Sequence, residues 1–545
     1  MLPQCGQYAS AVRTARNLPP QHSSGRSHVR TFPTNSLESE LVHDAYRDLV
    51  TEKQIAFDDT KNTTLVFAQH QGPFTDYRRE ITSQNGVTTE TTHWTLDVPW
   101  FGWIFQPLVK RHIMRRRPGK RHPWWAPPQV FTAREVFVLA MLAVASMSAA
   151  FVNTLFTQTV AYAADDFDIT ARGQGIAGAV VRIGIVLAIP LAVLGDKVGR
   201  KRVVVVLAFL TPIVASLGAL APNFEVLVAT QTIARPMGLA FDVAIMVIVV
   251  EEMPRFARAY GLSILALASG LGAGFAVLML PLADLGTNGW RLIYVAALLW
   301  LIVAVSLRRR LTETNRFVTH SLKTVAPISA RKERETRGRK LDRAAVKTLL
   351  VVGSVAFLAN IFVATASIFQ NRYLKDVRDY SASMVALFTL ATATPAGIGL
   401  IAGGKLAEKY GRRFVAAFTI PVGALLLALS FVASSALMWG TAIVGGIIAS
   451  IAYPAMAVYR GELFPTGSRT TSSFFITVAA LLGGSIGLVL GGSLIDSGWS
   501  YGAVMLTFAT VSLVVTALVL GFFPETANTE LEELHPQDLS TSEET

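Results

Sequence analysis

Three ionisable residues stand in stretches otherwise built from apolar side chains: Arg182, Arg235 and Asp242. A charge at bilayer depth is costly and marks a functional site by default. Arg235 and Asp242 are seven residues apart, which on a helix puts them on one face two turns from each other. A carboxyl group in apolar surroundings takes up a proton more readily than one in water, and a guanidinium neighbour reverses that. A carboxylate that alternates between those surroundings can load and release a proton. The same residues read equally as a fixed ion pair, Asp242 with Arg182 or with Arg235, holding helices together. Polar side chains on neighbouring stretches are candidates for a solute cavity: Asn153, Thr157, Gln158, Asn360, Thr365, Tyr453 and Tyr459. Each also reads as a packing residue.

Composition sets the elements that must position them. Of 545 residues, 52% are hydrophobic and 16% charged, with 41 Gly and 24 Pro. Soluble domains run about 25% charged, so a soluble multi-domain enzyme and a disordered or fibrous chain are excluded. The apolar runs are unbroken rather than alternating, which excludes an outer-membrane barrel. Twelve runs, near 135–161, 173–194, 203–221, 226–250, 259–282, 291–307, 348–370, 381–402, 414–433, 436–458, 471–494 and 502–522, approach the roughly 20 helical residues that a bilayer core requires. The expected fold is an all-α polytopic membrane protein of twelve transmembrane helices.

The chain carries 49 Lys/Arg against 37 Asp/Glu, a net charge of +12. The loops after the even-numbered spans hold 24 of the Lys/Arg, and the loops on the other side hold only Arg172, Arg291, Arg372, Lys375 and Arg378. That bias places both termini in the cytoplasm and the chain in a cell membrane. It explains the basicity as topology and headgroup contact, with no need of nucleic acid.

Residues 1–130 lack any such run. Residues 1–33 read as disordered and 34–98 as a small cytoplasmic α+β domain. In that domain a helix follows an Asn35/Ser36 cap, and strands fall at 63–69, 74–82 and 87–97, with a hairpin at Asn85-Gly86. Residues 99–130 join Trp100, Phe101, Trp103, Ile104 and Phe105 to a polybasic run (110–121) and Trp124-Trp125, a composition suited to anionic headgroups. A solvated linker is the plainer reading. The rest divides into a first six-helix bundle (131–307), a basic cytoplasmic loop (308–346), a second bundle (347–524) and an acidic cytoplasmic tail (525–545).

The two bundles repeat. Phe151-Val152-Asn153-Thr154 and Gly195-Asp196-Lys197-Val198-Gly199-Arg200-Lys201 in the first correspond to Phe362-Val363-Ala364-Thr365 and Glu408-Lys409-Tyr410-Gly411-Arg412-Arg413 in the second. Arg258 and Trp290 bracket span 5 as Arg469 and Trp499 bracket span 11. Parallel repeats of this kind build a midplane site between two rocking halves.

On these residues the chain resembles the major facilitator superfamily, its sugar-porter and organic-ion branches in particular. Glu252-Met253-Pro254 with Arg258, Glu462-Leu463-Phe464-Pro465 with Arg469, and Pro524-Glu525-Thr526 support the resemblance. It implies a cytoplasmic gate made by Asp196, Gly199, Arg200, Lys201, Glu408, Gly411, Arg412, Arg413, Glu252, Arg258, Glu462 and Arg469, and a cavity lined by spans 1, 4, 7 and 10. Arg235 matches an arginine that the family often places near its proton-coupling site. Gly261, Gly270 and Gly274 are spaced as in the antiporter motif of drug exporters, but Phe275 replaces the next proline. Close helix packing by small residues explains them equally well.

Cys5 is the only cysteine, all nine histidines lie outside the spans, and no Gly-x4-Gly-Lys-Ser/Thr loop occurs. The chain is therefore expected to be neither an enzyme nor an ATP-driven pump, and to need no cofactor or metal. The expected function is secondary transport of a small organic solute by alternating access, coupled to protons, by a monomer. The alternatives are a proton-antiporting exporter of drugs or lipidic metabolites, and a non-transporting sensor on a carrier fold.

Overall fold

The computed structural model describes residues 26–33, 49–58, 63–114, 125–127, 129–188, 200–254, 257–311, 343–464 and 469–526. Its contacts divide the chain into two compact units.

The first unit comprises Met1–Ser146, Val243–Ser269 and Val305–Phe317. Its sheet has five antiparallel strands, β1 (Arg26–Pro33), β2 (Thr51–Asp58), β3 (Thr63–Gln71), β4 (Asp76–Gln84) and β5 (Val87–Thr95), in the order β1-β5-β4-β3-β2. Asn85 and Gly86 both take positive φ, 48° and 77°, the two-residue turn that suits the twist of a hairpin. Three strands fall where the alternation puts them. The disorder expected for residues 1–33 is corrected at Arg26–Pro33, which pairs along its length with β5. The alternation was hidden because its more buried positions are the polar His28 and Arg30, while Val29 faces out. The helix expected near residues 37–49 lies almost wholly outside the described residues.

Inside the sheet, Arg79 is buried with Glu52 and Glu90. Its Nε donates to both Glu52 carboxylate oxygens at 3.0 Å, and Tyr77 Oη donates to Glu52 Oε1 at 2.5 Å. Burial alone would lower the Arg79 pKa. The Glu52 hydrogen bonds and charge, with Tyr77 and Glu90, outweigh it and hold the guanidinium above its ordinary value. Helix α1 (Gly102–Met114) packs Val109 and Ile113 against Phe74, Tyr77 and Trp94, and the same core takes in Val136 and Ala140 of the first membrane helix.

The membrane helices are α2 (Ala133–Asp166), α3 (Ala171–Ile183), α4 (Arg200–Ser216), α5 (Phe224–Glu252), α6 (Arg258–Leu278), α7 (Gly289–Arg310, with a 3₁₀ stretch inside), α8 (Arg343–Asp376), α9 (Ala382–Tyr410), α10 (Arg412–Leu429), α11 (Ser435–Glu462), α12 (Arg469–Asp496) and α13 (Tyr501–Phe522). Eleven are long and apolar enough to cross a bilayer. The remaining one, α3, continues through a 3₁₀ turn to Leu187, and the end of that predicted span lies outside the described residues. In lipid every backbone group needs an internal partner, which helices supply. A capping box starts α2: Thr132 N–H donates to Glu135 and the Glu135 N–H to Thr132 Oγ1.

The second unit, Met147–Asp242, Gly270–Ala304 and Val318–Thr545, shows the repeat in atomic detail. The α2–α3 and α8–α9 loops each carry an aspartate at φ 53°, Asp168 and Asp379. Each is followed two residues on by a hydroxyl cap, Thr170 accepting from Gly173 N–H and Ser381 from Met384 N–H.

Candidate functional site

Call the helix ends at Arg200 and Phe522 the near end, and the opposite ends the far end. Arg182 on α3 and Arg235 on α5 each stand eleven residues from the far-end start of their helices, about 16 Å in at 1.5 Å per residue. The two guanidiniums are near enough to repel each other. Arg182 Nη2 donates to Asn360 Oδ1 of α8 at 2.5 Å, and Asn360 Nδ2 donates to Ala356 O at 2.9 Å. Arg182 Nε is buried with no hydrogen bond. Gly484 of α12 makes room for this side chain, since a Cβ there would stand 2.5 Å from Arg182 Nε. Among the described residues no ion pair joins either arginine to a carboxylate. Asp242, on the same helix as Arg235, is half-buried and stands two helical turns from it.

Asn360 and Tyr453 both line a cavity of about 290 Å3 among α8, α10, α11, α12 and α13. Its other walls are almost wholly apolar, including Val352, Leu427, Met456 and Val515. Thr365 and Tyr459 do not line that cavity. Thr365 is buried and returns its hydroxyl to Ile361 O, while Tyr459 donates to Pro524 O at 3.0 Å and stands edge-on to Phe523. Gln158 accepts from Asn371 Nδ2 at its backbone and side-chain oxygens. Thr157 is half-buried, and Asn153 packs its Oδ1, without a hydrogen bond, where Gly238 leaves space.

The strongest polar geometry was not foreseen in the sequence. At the far end, Asp496 closes α12 and accepts from the backbone N–H groups of Ala171 and Arg172, both at 2.9 Å, at the start of α3. Asp284, after α6, accepts from Ala382 N–H at 2.7 Å and Ser383 N–H at 2.9 Å, at the start of α9, and from Ser383 Oγ. These are the same contact in the two repeats, each tying one six-helix half to the other. A helix N-terminus offers unpaired N–H groups and a positive dipole end, so a carboxylate is favoured there. Lys375 pairs with Asp165, and Arg372 donates to Ile169 O and Gln174 Oε1, adding to the closure. Asp284 and Asp496 are each followed closely by a glycine and a tryptophan at the ends of corresponding spans, a recurrence that could have singled them out.

At the near end Glu525 caps α10, accepting from Arg412 N–H at 2.9 Å and Arg413 N–H at 3.1 Å, while Arg412 Nη1 donates to Thr526. Gly411 sits at φ +90°, and a Cβ on it would meet Glu525. These candidate gate residues are therefore joined within the second half. Glu252 pairs with Arg134 at 3.4 Å. Arg200 and Lys201 begin α4, Arg258 begins α6 and Arg469 begins α12. Asp196 and Gly199, and the side chains of Glu408, Glu462 and Arg469, lie outside what is described. Gly261 packs on Val249 and Met253, and nothing stands near Gly270.

Apolar helices in two repeats, joined by matched carboxylate contacts, define a two-bundle membrane protein. The family model of the Major Facilitator Superfamily matches residues 142–394 and 349–538, and the chain belongs to that family. It is a multi-pass membrane transporter of small solutes and not an enzyme. A protein of Cupriavidus pinatubonensis named "Probable 4-methylmuconolactone transporter" is 25% identical over 365 residues, covering 64% of this chain and 80% of that one. The inward-open xylose transporter XylE of E. coli superposes with a TM-score of 0.59 at 15% identity over 74% of this chain and 99% of that one. An inward-facing, occupied bacterial homologue of the lysosomal transporter Spinster gives 0.55 at 15% identity, covering 70% and 96%.

Proposed function

We propose that the chain moves a small organic solute across the cell membrane by alternating access, with proton coupling at Asp242. The observation that carries this reading is the matched pair of carboxylate contacts at the far end. Two halves tied by the same breakable contact in each repeat are suited to rock about a site between them. With both termini in the cytoplasm, as the Lys/Arg bias argues, the far end is the outer gate, on the outward side of Arg182 and Asn360. Asp242 is the carboxylate set well inside a span, on the face that Arg235 shares. Rocking that changes its distance from cations changes its proton affinity, which links proton movement to the cycle. The gate residues of the near end act by the complementary contacts. The names of the similar proteins, a lactone transporter and a xylose transporter, set the size range for solutes to test.

Helix α1 exposes Trp103, and the turn before it Trp100, on a segment that carries Lys110 and Arg111, while Val109 and Ile113 of α1 are buried. In our reading it rests on anionic headgroups and fixes the small sheet domain at the membrane surface, in a monomer. The experiment is reconstitution of the full chain in proteoliposomes with an imposed pH gradient and a panel of radiolabelled sugars, organic acids and lactones. Gradient-dependent uptake of one solute supports the reading, and no uptake across the panel overturns it.

A further inference from the structure

We propose that Arg182 and Arg235 form the anion-binding end of the solute site, that the apolar cavity at Asn360 forms the other end, and that the solute is an organic monocarboxylate with an apolar body. This deepens the carrier reading and rests on it.

The charge count at mid-membrane is the first argument. Two guanidiniums stand at matching depth and repel each other. A like-charged pair in a low-dielectric setting is unfavourable unless an anion completes it. Among the described residues neither arginine has a carboxylate partner. What Arg182 does have is a neutral amide oxygen on one nitrogen, while its Nε is buried without an acceptor. A guanidinium presents several N–H groups in a fixed fork that matches a carboxylate, so the unused donors of Arg182 face the chemistry they suit. Gly484 keeps the guanidinium in place, because any larger residue would occupy its position.

The second argument is continuity. Asn360 holds Arg182 and also lines the cavity of about 290 Å3. Apart from Asn360, the polar side chains on that wall are Tyr453 and Ser512, and the remainder is Val, Ile, Leu, Ala, Phe and Met. A second charged group at the other end of the ligand would find no partner on that wall, which argues against a dicarboxylate with its charges at opposite ends. A polyhydroxylated sugar would bury hydroxyls without acceptors, a costly arrangement. A carboxylate on an aromatic, alicyclic or short aliphatic body satisfies both ends: the head completes the arginine pair, and the body fills apolar space.

Purified full-length chain in lipid nanodiscs is titrated with benzoate, cyclohexanecarboxylate and octanoate, and in parallel with their neutral amides, by isothermal calorimetry. At least one acid is expected to bind about tenfold or more tightly than its amide, the scale of one charge-assisted hydrogen bond. Asn360→Asp places a carboxylate beside Arg182 and is expected to abolish that preference. Arg182→Lys keeps the charge without the fork and is expected to weaken the acid partially, and Arg235→Gln to weaken it strongly. Gel filtration confirms that each variant is folded. No acid bound more tightly than its amide, or an acid preference untouched by Asn360→Asp, overturns the assignment. Because binding is measured apart from flux, uptake of a neutral solute without any acid preference sinks this inference and leaves the carrier reading standing. Acid binding without flux of any solute does the reverse.

Discussion

The contacts of Asp284 and Asp496 invite a direct perturbation. Asp496→Ala removes a carboxylate that accepts two backbone N–H bonds, both at 2.9 Å, at the start of α3. One of those donors, on Ala171, is buried. A hydrogen bond to a charged group contributes about 1.5–3 kcal/mol where desolvated. A helix cap contributes ~1–2 kcal/mol, with the dipole adding up to ~1 kcal/mol at exposed sites. Arg172 N–H is exposed and water replaces part of its bond, so the net loss is about 2 kcal/mol, near a thirtyfold shift toward the state open at the far end. Adding Asp284→Ala doubles the effect if the two contacts act independently, to about 4 kcal/mol. The readout is labelling by a membrane-impermeant maleimide of a cysteine at position 368, Ile368→Cys, a site buried between α3 and α8. Cys5 is the only native thiol, so Cys5→Ser gives a clean background. Labelling is expected to rise about thirtyfold in Asp496→Ala and further in the double variant. A rate unchanged in both would refute the reasoning that these carboxylates hold the far end shut.

Asp242→Asn is expected to abolish gradient-driven accumulation while sparing counterflow, measured in the same proteoliposomes, and equal accumulation would remove Asp242 from coupling. Gly411→Ala forces a side chain into a positive-φ position against Glu525 and is expected to cost about 1–2 kcal/mol, read as a lower Tm, whereas Gly440→Ala, with nothing within 4 Å, should cost far less. In the sheet domain, Arg79→Leu leaves Glu52 and Glu90 buried without their cation and is expected to cost about 3–5 kcal/mol, read by loss of sheet signal. The Arg79 pKa is raised on folding, so its stabilisation is fully present below the unfolded value and is lost only as pH rises through the folded one. The Arg79 contribution is therefore flat between about pH 7 and 10, and a double-mutant cycle of Arg79 with Glu52 across that window checks it.

The membrane helices were legible because a bilayer demands an uninterrupted apolar stretch, and the repeat because both halves keep a Gly-basic-basic turn in the same place. The sheet domain was legible only where alternation put apolar residues inside, as at Tyr77, Ile81 and Trp94. Strands β1 and β2 escaped because their inward positions include His28, Arg30 and Glu52. Arg182 and Asn360 were identified separately, one as a charge and one as a polar spot, but no periodicity shows that residues on α3 and α8 touch. The sequence does not say which way Thr365 and Tyr459 turn, because a hydroxyl in a membrane helix can bond to its own backbone or to a chain end, so polarity alone does not say which face a residue takes. Asp284 and Asp496 escaped because a contact between helices far apart in sequence shows in no local periodicity, only in the recurring glycine and tryptophan that follow each.

The most direct test of the account is flux by the reconstituted full chain. Proteoliposomes preloaded with unlabelled solute and diluted into labelled solute should show saturable exchange, lost when Arg182 and Arg235 are both replaced by Gln. Folded, correctly inserted protein that exchanges no solute across the panel would contradict it.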